Sequence, residues 1–406
     1  MAKIKKIKVV WLCHFGNEEL SKKLGISSNL NFAPWISDLL LLFENNEQIE
    51  LHVVSPNYYN NLDITTNLNG ATIHLYKYKM LPLPKQFENI AYSHIYSISK
   101  VIKIVNGIAP DILHLHGSEN PIYSEAVLPL ITQFPTLVTI QGFVSLSKNP
   151  KNYIKQYIRW NRVRIERKIN RSAKFITAAT KDTREELKRF TKDAIIYDDH
   201  YPTTVPKVSK NGITKSKYDY VFYARISKEK GVEDFVKALH IIKKSKPQLK
   251  ALIIGGGSSS YIERLKTKIK TLGLFENITF AGYQETQQDV FNLAIQANIY
   301  ILPTHFDGIP GSIRECMFMR IPIIASAVGG IPTFNDEKEC LTLSKPNDVN
   351  DLVVKIKLVE ENSTRTQRLV DNAYQLITNK YDNQKIPSNM LGIYNDILRR
   401  ENQNTK

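Results

Sequence analysis

Cysteine is scarce in this sequence. Among 406 residues there are three, Cys13, Cys316 and Cys340, an odd number at wide spacing. They provide neither the framework of a disulfide-stabilised secreted domain nor the ligand spacing of a zinc site. A reducing compartment fits this composition best, so we expect a cytoplasmic protein.

Long apolar runs are also missing. Runs such as Leu39–Phe43 fall far short of the roughly 20 residues that a membrane-spanning helix needs. Four lysines near the N-terminus precede the apolar segment Val9–Cys13, which resembles a signal peptide. That segment is too short, His14 interrupts it, and no small-residue cleavage site follows. A first β-strand is the better interpretation.

Acidic residues are outnumbered. The chain has 55 Lys and Arg against 39 Asp and Glu, a formal net charge of +16. Such an excess indicates an anionic partner: a nucleic acid, an acidic membrane surface or a phosphorylated substrate. A surface that is basic only for solubility is the alternative.

Several catalytic signatures are absent. The sequence contains no G-x-S-x-G, no H-E-x-x-H and no P-loop lysine. Asp198-Asp199-His200 is the one acidic dyad beside a histidine, and no second cluster partners it, so we predict no metal site. Gly255-Gly256-Gly257 lacks the third glycine of a dinucleotide fingerprint, because Ser260 stands there. A tight structural turn is the favoured interpretation of this run.

What the chain does contain is alternation of apolar strands and amphipathic helices. With 42% hydrophobic residues it can bury sizeable cores, and its length allows roughly two or three domains. Strands followed by helices predict parallel sheets flanked by helices. Residues 202–217, with Pro202, Pro206 and Gly212, break this pattern and indicate an interdomain linker.

Residues 151–174 are predicted to form one long helix with a strong charge bias. Ile154, Ile158, Ile165 and Ile169 form its apolar stripe, and its single acid is Glu166. Its cations are Lys151, Lys155, Arg159, Arg162, Arg164, Arg167, Lys168, Arg171 and Lys174. Two interpretations stay open: a solvated face packed on the sheet, or a surface for anionic lipid head groups or a phosphorylated acceptor.

The most informative stretch spans residues 299–332. An apolar strand, Ile299–Leu302, stops at Pro303; a loop and a short helix, Ser312–Met319, lead to a second apolar run, 322–327, and then to Gly329-Gly330. In a parallel α/β unit, ligands bind beyond the carboxyl ends of such strands. The loop and helix therefore form a candidate binding element.

Charged side chains lie on this element and on the loop after strand 218–224. Arg225 and Lys230 are well placed to bind a diphosphate, because the Arg guanidinium can donate two parallel hydrogen bonds and the Lys ammonium is a compact positive charge. Glu315, early in the helix, has two oxygens for a vicinal diol such as a ribose, and Asp307 could accept from sugar hydroxyls. Helix capping by the two acids is the structural alternative. We expect the segment Gly308, Ile309, Pro310, Gly311 and Ser312 to attract phosphate or a sugar oxygen through the helix N-terminus and the amides of its four residues other than proline.

Taken together, these motifs resemble those of the family 4 retaining glycosyltransferases of the GT-B fold. The family's E-x7-E element resembles D-G-I-P-G-S-I-R-E, Asp307 to Glu315, and its "G-R-x-x-x-x-K-G" loop resembles A-R-I-S-K-E-K-G. The segment R-I-P-I-I-A-S-A-V-G-G-I-P-T resembles the element that follows in the family. In the first half, L-H-L-H-G and T-I-Q-G resemble strand ends that face the donor.

The resemblance implies two Rossmann-like parallel-sheet domains facing a central cleft. Residues 1–203 would form the acceptor-side domain, 204–217 the linker and 218–380 the donor-binding domain. Residues 381–406 would form a helix that crosses back to the first domain. No cofactor is implied, and a nucleotide-diphosphate-sugar would be the co-substrate.

The resemblance also implies roles for individual residues. Glu315 would hold the nucleotide ribose, Arg225 and Lys230 would bind the diphosphate, and Asp307 would contact the donor sugar. Gly16 would contribute a backbone amide. His116 and Gln141 would stand at the donor-facing strand ends, although His116 has an equally good interpretation as a structural residue.

This sequence departs from the family pattern at several positions. Asp307 replaces the usual Glu, Arg320 replaces a glycine, and Thr333 replaces a Glu after Gly-Gly-Ile-Pro. Gln141 stands where many members carry a sugar-contacting histidine, and the usual Asn-Gly is absent from 197–202. These departures concern the identity of the donor sugar more than the reaction class.

We therefore expect a metal-independent retaining glycosyltransferase that acts on a glycan or lipid-linked glycan, in cell-surface polysaccharide biosynthesis. Two alternatives remain: another enzyme of the same fold, such as a sugar-nucleotide epimerase or a phosphorylase, or a basic nucleic-acid-binding protein. No helix-turn-helix, RRM or OB pattern accompanies the charge, so nucleic acid is not the expected partner. Attachment to the inner membrane face through residues 151–174 is a separate hypothesis.

Overall fold

The computed structural model describes residues 6–27, 32–78, 94–146, 149–150, 152–209 and 216–404. Two predictions fall partly elsewhere, since Lys151 and residues 210–215 of the linker lie outside these ranges. The chain divides into two compact units. The first contains Met1–Pro202 together with Asn383–Lys406, and the second contains Thr203–Asp382. Each is an α/β unit with its own sheet and core.

The first unit is built around an eight-stranded sheet in the order β3-β4-β2-β1-β5-β6-β7-β8. Its strands are β1 Ile7–Leu12, β2 Ile49–Pro56, β3 Ile64–Leu68, β4 Ala71–Tyr76, β5 Ile112–His116, β6 Thr136–Thr139, β7 Phe175–Thr177 and β8 Ile195–Tyr197. Its helices are Glu18–Lys23, Pro34–Phe43, His94–Ile108, Pro121–Ser124, Val127–Leu130, Tyr153–Ser172, Lys181–Lys188 and Ile386–Asn404. All recorded strand pairs are parallel except β3 with β4.

The second unit has a six-stranded parallel sheet in the order β11-β10-β9-β12-β13-β14. Its strands are β9 Tyr218–Tyr223, β10 Ala251–Ile254, β11 Ile278–Gly282, β12 Ala297–Leu302, β13 Ile323–Ser326 and β14 Thr342–Ser344. Its helices are Val232–Lys243, Ser259–Thr271, Gln287–Ala294, Gly311–Met319, Val349–Glu361 and Ser363–Lys380. The predicted parallel α/β class is therefore confirmed in both halves.

The last helix, Ile386–Asn404, packs into the core of the first unit, as predicted. Ile386, Tyr394 and Ile397 are fully buried there with Trp11 of β1. The Tyr394 hydroxyl accepts a hydrogen bond from Trp11 Nε1 at 3.0 Å and lies 2.7 Å from His114 Nδ1. Burial of this apolar stripe outweighs the cost of ordering the helix.

Some local features differ from the sequence predictions. The β3–β4 hairpin was missed, although its turn, Asn69-Gly70, has positive φ at both residues and is a strong hairpin signal. The long basic helix spans Tyr153–Ser172 rather than 151–174, because Asn152 caps its start and Ala173 adopts extended backbone. None of the helices in the described ranges has the length and apolar character of a membrane span.

Candidate functional site

The candidate site in the second unit lies at the carboxyl ends of β9 and β12. β12 ends at Leu302, and the helix Gly311–Met319 begins after Pro310, so residues 303–310 form the loop between them. Glu315 is on this helix and is 8% exposed. The Tyr223 hydroxyl, at the end of β9, lies 3.1 Å from Glu315 Oε2 and 2.8 Å from the Ser312 carbonyl oxygen. Strand β9 therefore helps to orient the Glu315 carboxylate.

The hydroxyl groups of Tyr223 and Tyr300 contact the first turn of this helix. Burial raises the pKa of both Tyr223 and Tyr300 well above the ordinary value, so both phenols stay protonated at neutral pH and can donate. The Tyr300 hydroxyl lies 2.7 Å from Ser312 Oγ. A methyl group at Gly311 would lie 3.7 Å from Glu315 Oε1, so the glycine leaves space beside that oxygen. The sequence analysis missed both tyrosines.

Lys230 and Asp307 form an ion pair. Lys230 Nζ donates to Asp307 Oδ2 at 2.5 Å, and the two side chains are 24% and 14% exposed. Lys230 ends the turn Lys228–Lys230 after β9, while Asp307 lies in the loop after β12. An ammonium has three donors, so Lys230 can serve two further acceptors while it holds Asp307.

Close backbone packing brings these two loops together. Gly231 has φ +75°, and a methyl group there would lie 1.7 Å from the Pro303 carbonyl oxygen. Gly329 has φ +51°, and its methyl would lie 1.8 Å from the Asp307 carbonyl oxygen. No side chain fits at either position, because such an approach is far inside van der Waals contact and the backbone is left-handed. The loops are also tied by the His305 amide, which donates to the Glu229 carbonyl at 2.8 Å.

Arg225 follows β9 and is exposed. Its guanidinium makes no hydrogen bond with another residue of the described ranges, but its charge helps to lower the pKa of Glu229, after the larger effects of the Glu229 amide and Ser227. A methyl at Gly255 would lie 2.0 Å from the Ala224 carbonyl oxygen. The glycine run of residues 255–257 thus packs closely against the Arg225 loop, and no turn is assigned to it.

The first unit presents different residues at its strand ends. His116 ends β5, and Gln141 follows β6. His116 Nδ1 lies 3.1 Å from the Tyr201 hydroxyl, and Gln141 Nε2 donates to that hydroxyl at 3.0 Å. Burial lowers the pKa of His116 to about 3, so the ring is neutral. Tyr201, which the sequence analysis did not identify, is therefore what joins the two predicted residues.

Gly16 lies four residues after the end of β1, which neighbours β5. Its carbonyl accepts from the Phe32 amide at 2.7 Å, and a methyl there would lie 3.0 Å from the Tyr59 hydroxyl oxygen. His14, two residues earlier, contacts the Tyr58 hydroxyl, and burial lowers its pKa to about 4. Gly16 is thus enclosed by aromatic side chains, and its predicted amide contact stays a prediction.

The remaining predicted residues lie where the loop meets the helix. Gly308 and Ile309 precede Pro310, the N-cap, and Gly311 and Ser312 are the first helical residues. Gly311 and Ser312 therefore begin a nine-residue helix, and the macrodipole favours negative charge at that N-terminal end. The described ranges contain no group of three metal-ligating side chains. Asp198 forms an ion pair with Arg184, and burial raises the pKa of Asp199 to about 7.

Comparisons with known proteins agree with this architecture. Residues 206–376 match the family model described as glycosyl transferases group 1. The chain is 22% identical over 283 residues to a putative teichuronic acid biosynthesis glycosyltransferase of Bacillus subtilis. This alignment covers 67% of each of the two chains. It is 20% identical to the alpha-D-kanosaminyltransferase of Streptomyces kanamyceticus, with 70% of this chain and 76% of that protein covered.

Solved structures share the fold. Sucrose-phosphate synthase from Thermosynechococcus elongatus superposes with a TM-score of 0.75 at 16% identity, covering 97% of this chain and 100% of that one. Anabaena HepE, solved in complex with UDP, gives a TM-score of 0.66 at 14% identity with the same two coverages. These are GT-B glycosyltransferases, and the two parallel-sheet units of this chain have that fold. Over residues 206–376, the chain is therefore similar to the group 1 glycosyltransferases.

Proposed function

We propose that this glycosyltransferase is a retaining enzyme that uses a nucleotide-diphosphate-sugar donor. The observation that carries the proposal is the partly buried Lys230–Asp307 pair, which shares a loop-and-helix element with Glu315. Cation, carboxylates and a helix start at the carboxyl ends of parallel strands are what a phosphorylated sugar needs. The acceptor is a hydroxyl of a glycan or a lipid-linked glycan.

The positive groups act on the departing diphosphate. When the bond between the sugar and the diphosphate breaks, its electron pair stays with the phosphate oxygen, and the sugar becomes oxocarbenium-like. Lys230, Arg225 and the helix start at Gly311 offer positive potential to that oxygen from fixed positions. Together they supply this potential without a metal ion, so we propose metal-independent transfer. Asp307 holds the Lys230 ammonium in place and is available to a donor-sugar hydroxyl.

Glu315 is the proposed ribose ligand. Its carboxylate is held by the Tyr223 phenol through one oxygen, while Gly311 leaves space beside the other. Two acceptor oxygens in a fixed orientation match the two adjacent hydroxyls of a ribose. The nucleoside thus lies toward the helix, and the diphosphate lies toward Lys230 and Arg225.

The comparisons support a choice of donor and biological role to test first. HepE has been solved with UDP and with UDP-glucose, so UDP-sugars are the first donors to examine. Relatives at 22% and 25% identity are named for teichuronic acid and capsular polysaccharide biosynthesis. We propose that this chain also contributes to a bacterial cell-surface polysaccharide, and Asp307, shorter than the family's Glu, bears on which sugar it uses.

The donor and the reaction can be tested together. A panel of UDP-, GDP-, ADP- and TDP-sugars is screened for a rise in the unfolding temperature, since a ligand that binds only the folded state stabilises it. Transfer is then measured with the best donor, and the anomeric configuration of the product is determined by NMR. Conversion of the donor to another sugar nucleotide in the absence of an acceptor would indicate an epimerase. A reaction that requires inorganic phosphate would indicate a phosphorylase.

Two substitutions test the assigned residues. Glu315→Gln and Lys230→Ala should each reduce transfer by at least about a hundredfold, because each removes a charge that we place against the donor. Lys228→Ala is the matched control, since Lys228 is an exposed lysine on the same turn. Near-normal turnover in a folded Glu315→Gln or Lys230→Ala protein would contradict the proposal.

A further inference from the structure

The helix Tyr153–Ser172 carries an unusual exposed face. Tyr153, Tyr157 and Trp160 recur at a spacing of three and four residues, which places them on one side of the helix. Their exposed fractions are 85%, 57% and 58%. Ile154 and Leu146 add apolar surface nearby, at 41% and 47% exposed. We call this set the aromatic ridge.

The aromatic ridge continues into a cationic segment. Arg164, Arg167, Lys168 and Arg171 follow on the same side of the helix and are all exposed. Glu166, the only acid of the helix, is buried and accepts hydrogen bonds from the Val144 and Ser145 amides. Its carboxylate thus lies on the buried side of the helix, where Arg162 and Arg167 interact with its charge.

The surface is held in place by its buried side. Ile165 and Ile169 pack into the core of the first unit. Through Glu166, and through Arg159 Nη2, which donates to the Ser145 carbonyl at 2.9 Å, the helix fixes the turn that carries Leu146. The rings of Tyr157 and Trp160 are stacked at 5.9 Å, and the Arg164 guanidinium lies 5.9 Å from the Trp160 ring. An ordered apolar surface of this kind in water requires an occupant.

We propose that the aromatic ridge and the cationic segment dock this enzyme on an anionic lipid bilayer, with the helix lying in the plane of the interface. Tyr and Trp rings favour the head-group level, where one end is apolar and the other hydrated. The arginines and lysine then meet the lipid phosphates, which attract cations near the surface.

Charge and side-chain type favour a membrane over the other occupants. A second copy of this chain would place one cationic segment against another, at +16 net charge each. A nucleic acid would use the arginines and could stack on the aromatic rings. It would gain little from Ile154 and Leu146, which present aliphatic surface rather than rings.

Vesicle flotation of the full-length chain tests the proposal. We expect flotation with phosphatidylcholine vesicles that contain phosphatidylglycerol and little flotation with phosphatidylcholine alone. Tyr157→Ser with Trp160→Ser should reduce binding at least tenfold, and Arg164→Gln with Arg167→Gln and Arg171→Gln should reduce it more, at roughly fivefold per removed cation. Phe275→Ser with Tyr283→Ser is the control for lost apolar exposure, and Lys270→Gln with Lys345→Gln and Lys357→Gln is the control for lost charge.

A spectroscopic readout locates the contact. Trp160 fluorescence should shift to the blue when anionic vesicles are added; the shift should disappear in Trp160→Phe and persist in Trp35→Phe. Flotation that is indifferent to lipid charge, or that falls equally in the control variants, overturns the proposal. So does release of the protein from vesicles by a polyanionic oligonucleotide at equal phosphate concentration, or a dimer that dissociates in the Tyr157→Ser, Trp160→Ser variant.

Discussion

The two α/β units place residues at equivalent strand ends, yet the chemistry at those ends differs. In the second unit, Lys230 and Asp307 are charged, paired and partly open to solvent. In the first, His114 and His116 are buried, and burial lowers the pKa of both, so they are neutral. The Tyr394 hydroxyl lies within hydrogen-bond distance of His114, and the Tyr201 hydroxyl lies within that distance of His116.

This difference shows that the sheet topology determines where the strand-end residues lie, whereas their side chains determine what kind of ligand they can bind. A parallel sheet brings strand ends to one edge whatever residues they carry. In the function proposed above, the second unit uses the edge for groups that neutralise an anion. The edge of the first unit carries neutral histidines and tyrosine hydroxyl groups. Three comparisons between variants would break or sharpen the contrast.

The largest effect is expected from adding a methyl group at the strand ends. Gly231→Ala should lower the free energy of unfolding of the second unit by about 3 kcal/mol or more, because the methyl meets the Pro303 carbonyl and φ is positive. Gly142→Ala, after β6 of the first unit, has nothing within 4 Å of the new methyl and should change little. Urea unfolding of both variants measures this. Equal effects would mean that loop packing does not distinguish the two edges.

A smaller effect is expected from removing a hydroxyl. Tyr394→Phe should destabilise the protein by about 1–3 kcal/mol, because the buried Trp11 N–H loses its acceptor and His114 loses a partner. Tyr223→Phe should instead weaken nucleotide binding about tenfold, with a smaller change in stability, since its hydroxyl orients Glu315. Thermal unfolding and calorimetric titration separate the two outcomes. A Tyr394→Phe protein as stable as the parent would show that the first-unit hydroxyls are not structural.

The last comparison concerns a partly buried acid of the first unit, whose effect on stability depends on pH. Burial raises the pKa of Glu119 to about 7 from an ordinary 4.5, so the folded protein holds a proton there that the unfolded chain releases at lower pH. This contribution to stability is therefore intact below pH 4.5 and is lost as the pH rises to about 7. Glu119→Gln should remove it and be more stable than the parent at pH 8, by roughly 1–3 kcal/mol relative to the difference at pH 4.

Urea unfolding across that range checks the Glu119 prediction. Asp199, whose pKa burial also raises to about 7, titrates in parent and variant alike, so its contribution cancels in the comparison. Glu285→Gln, at an exposed acid, is the control and should leave the slope unchanged. Stability curves of Glu119→Gln and the parent that run parallel would contradict the assignment.

Much of the candidate site could be predicted because its residues follow strands directly. Arg225, Lys230 and Asp307 stand just beyond apolar runs, and Glu315 lies early in a helix. Tyr223, Tyr201 and Tyr394 could not be identified in this way, because their partners lie 60 to 383 residues away in the chain. The Asn69-Gly70 turn is different: its local signal was present and was overlooked.

The sequence by itself determined the parallel α/β class and the residues that stand at strand ends, because periodicity and strand-end position are local properties. Only the tertiary structure decided that Glu166 is buried while the cations of its helix are exposed. The same holds for the pairing of Lys230 with Asp307. Burial and pairing depend on contacts between segments far apart in the chain, and no local pattern specifies those contacts.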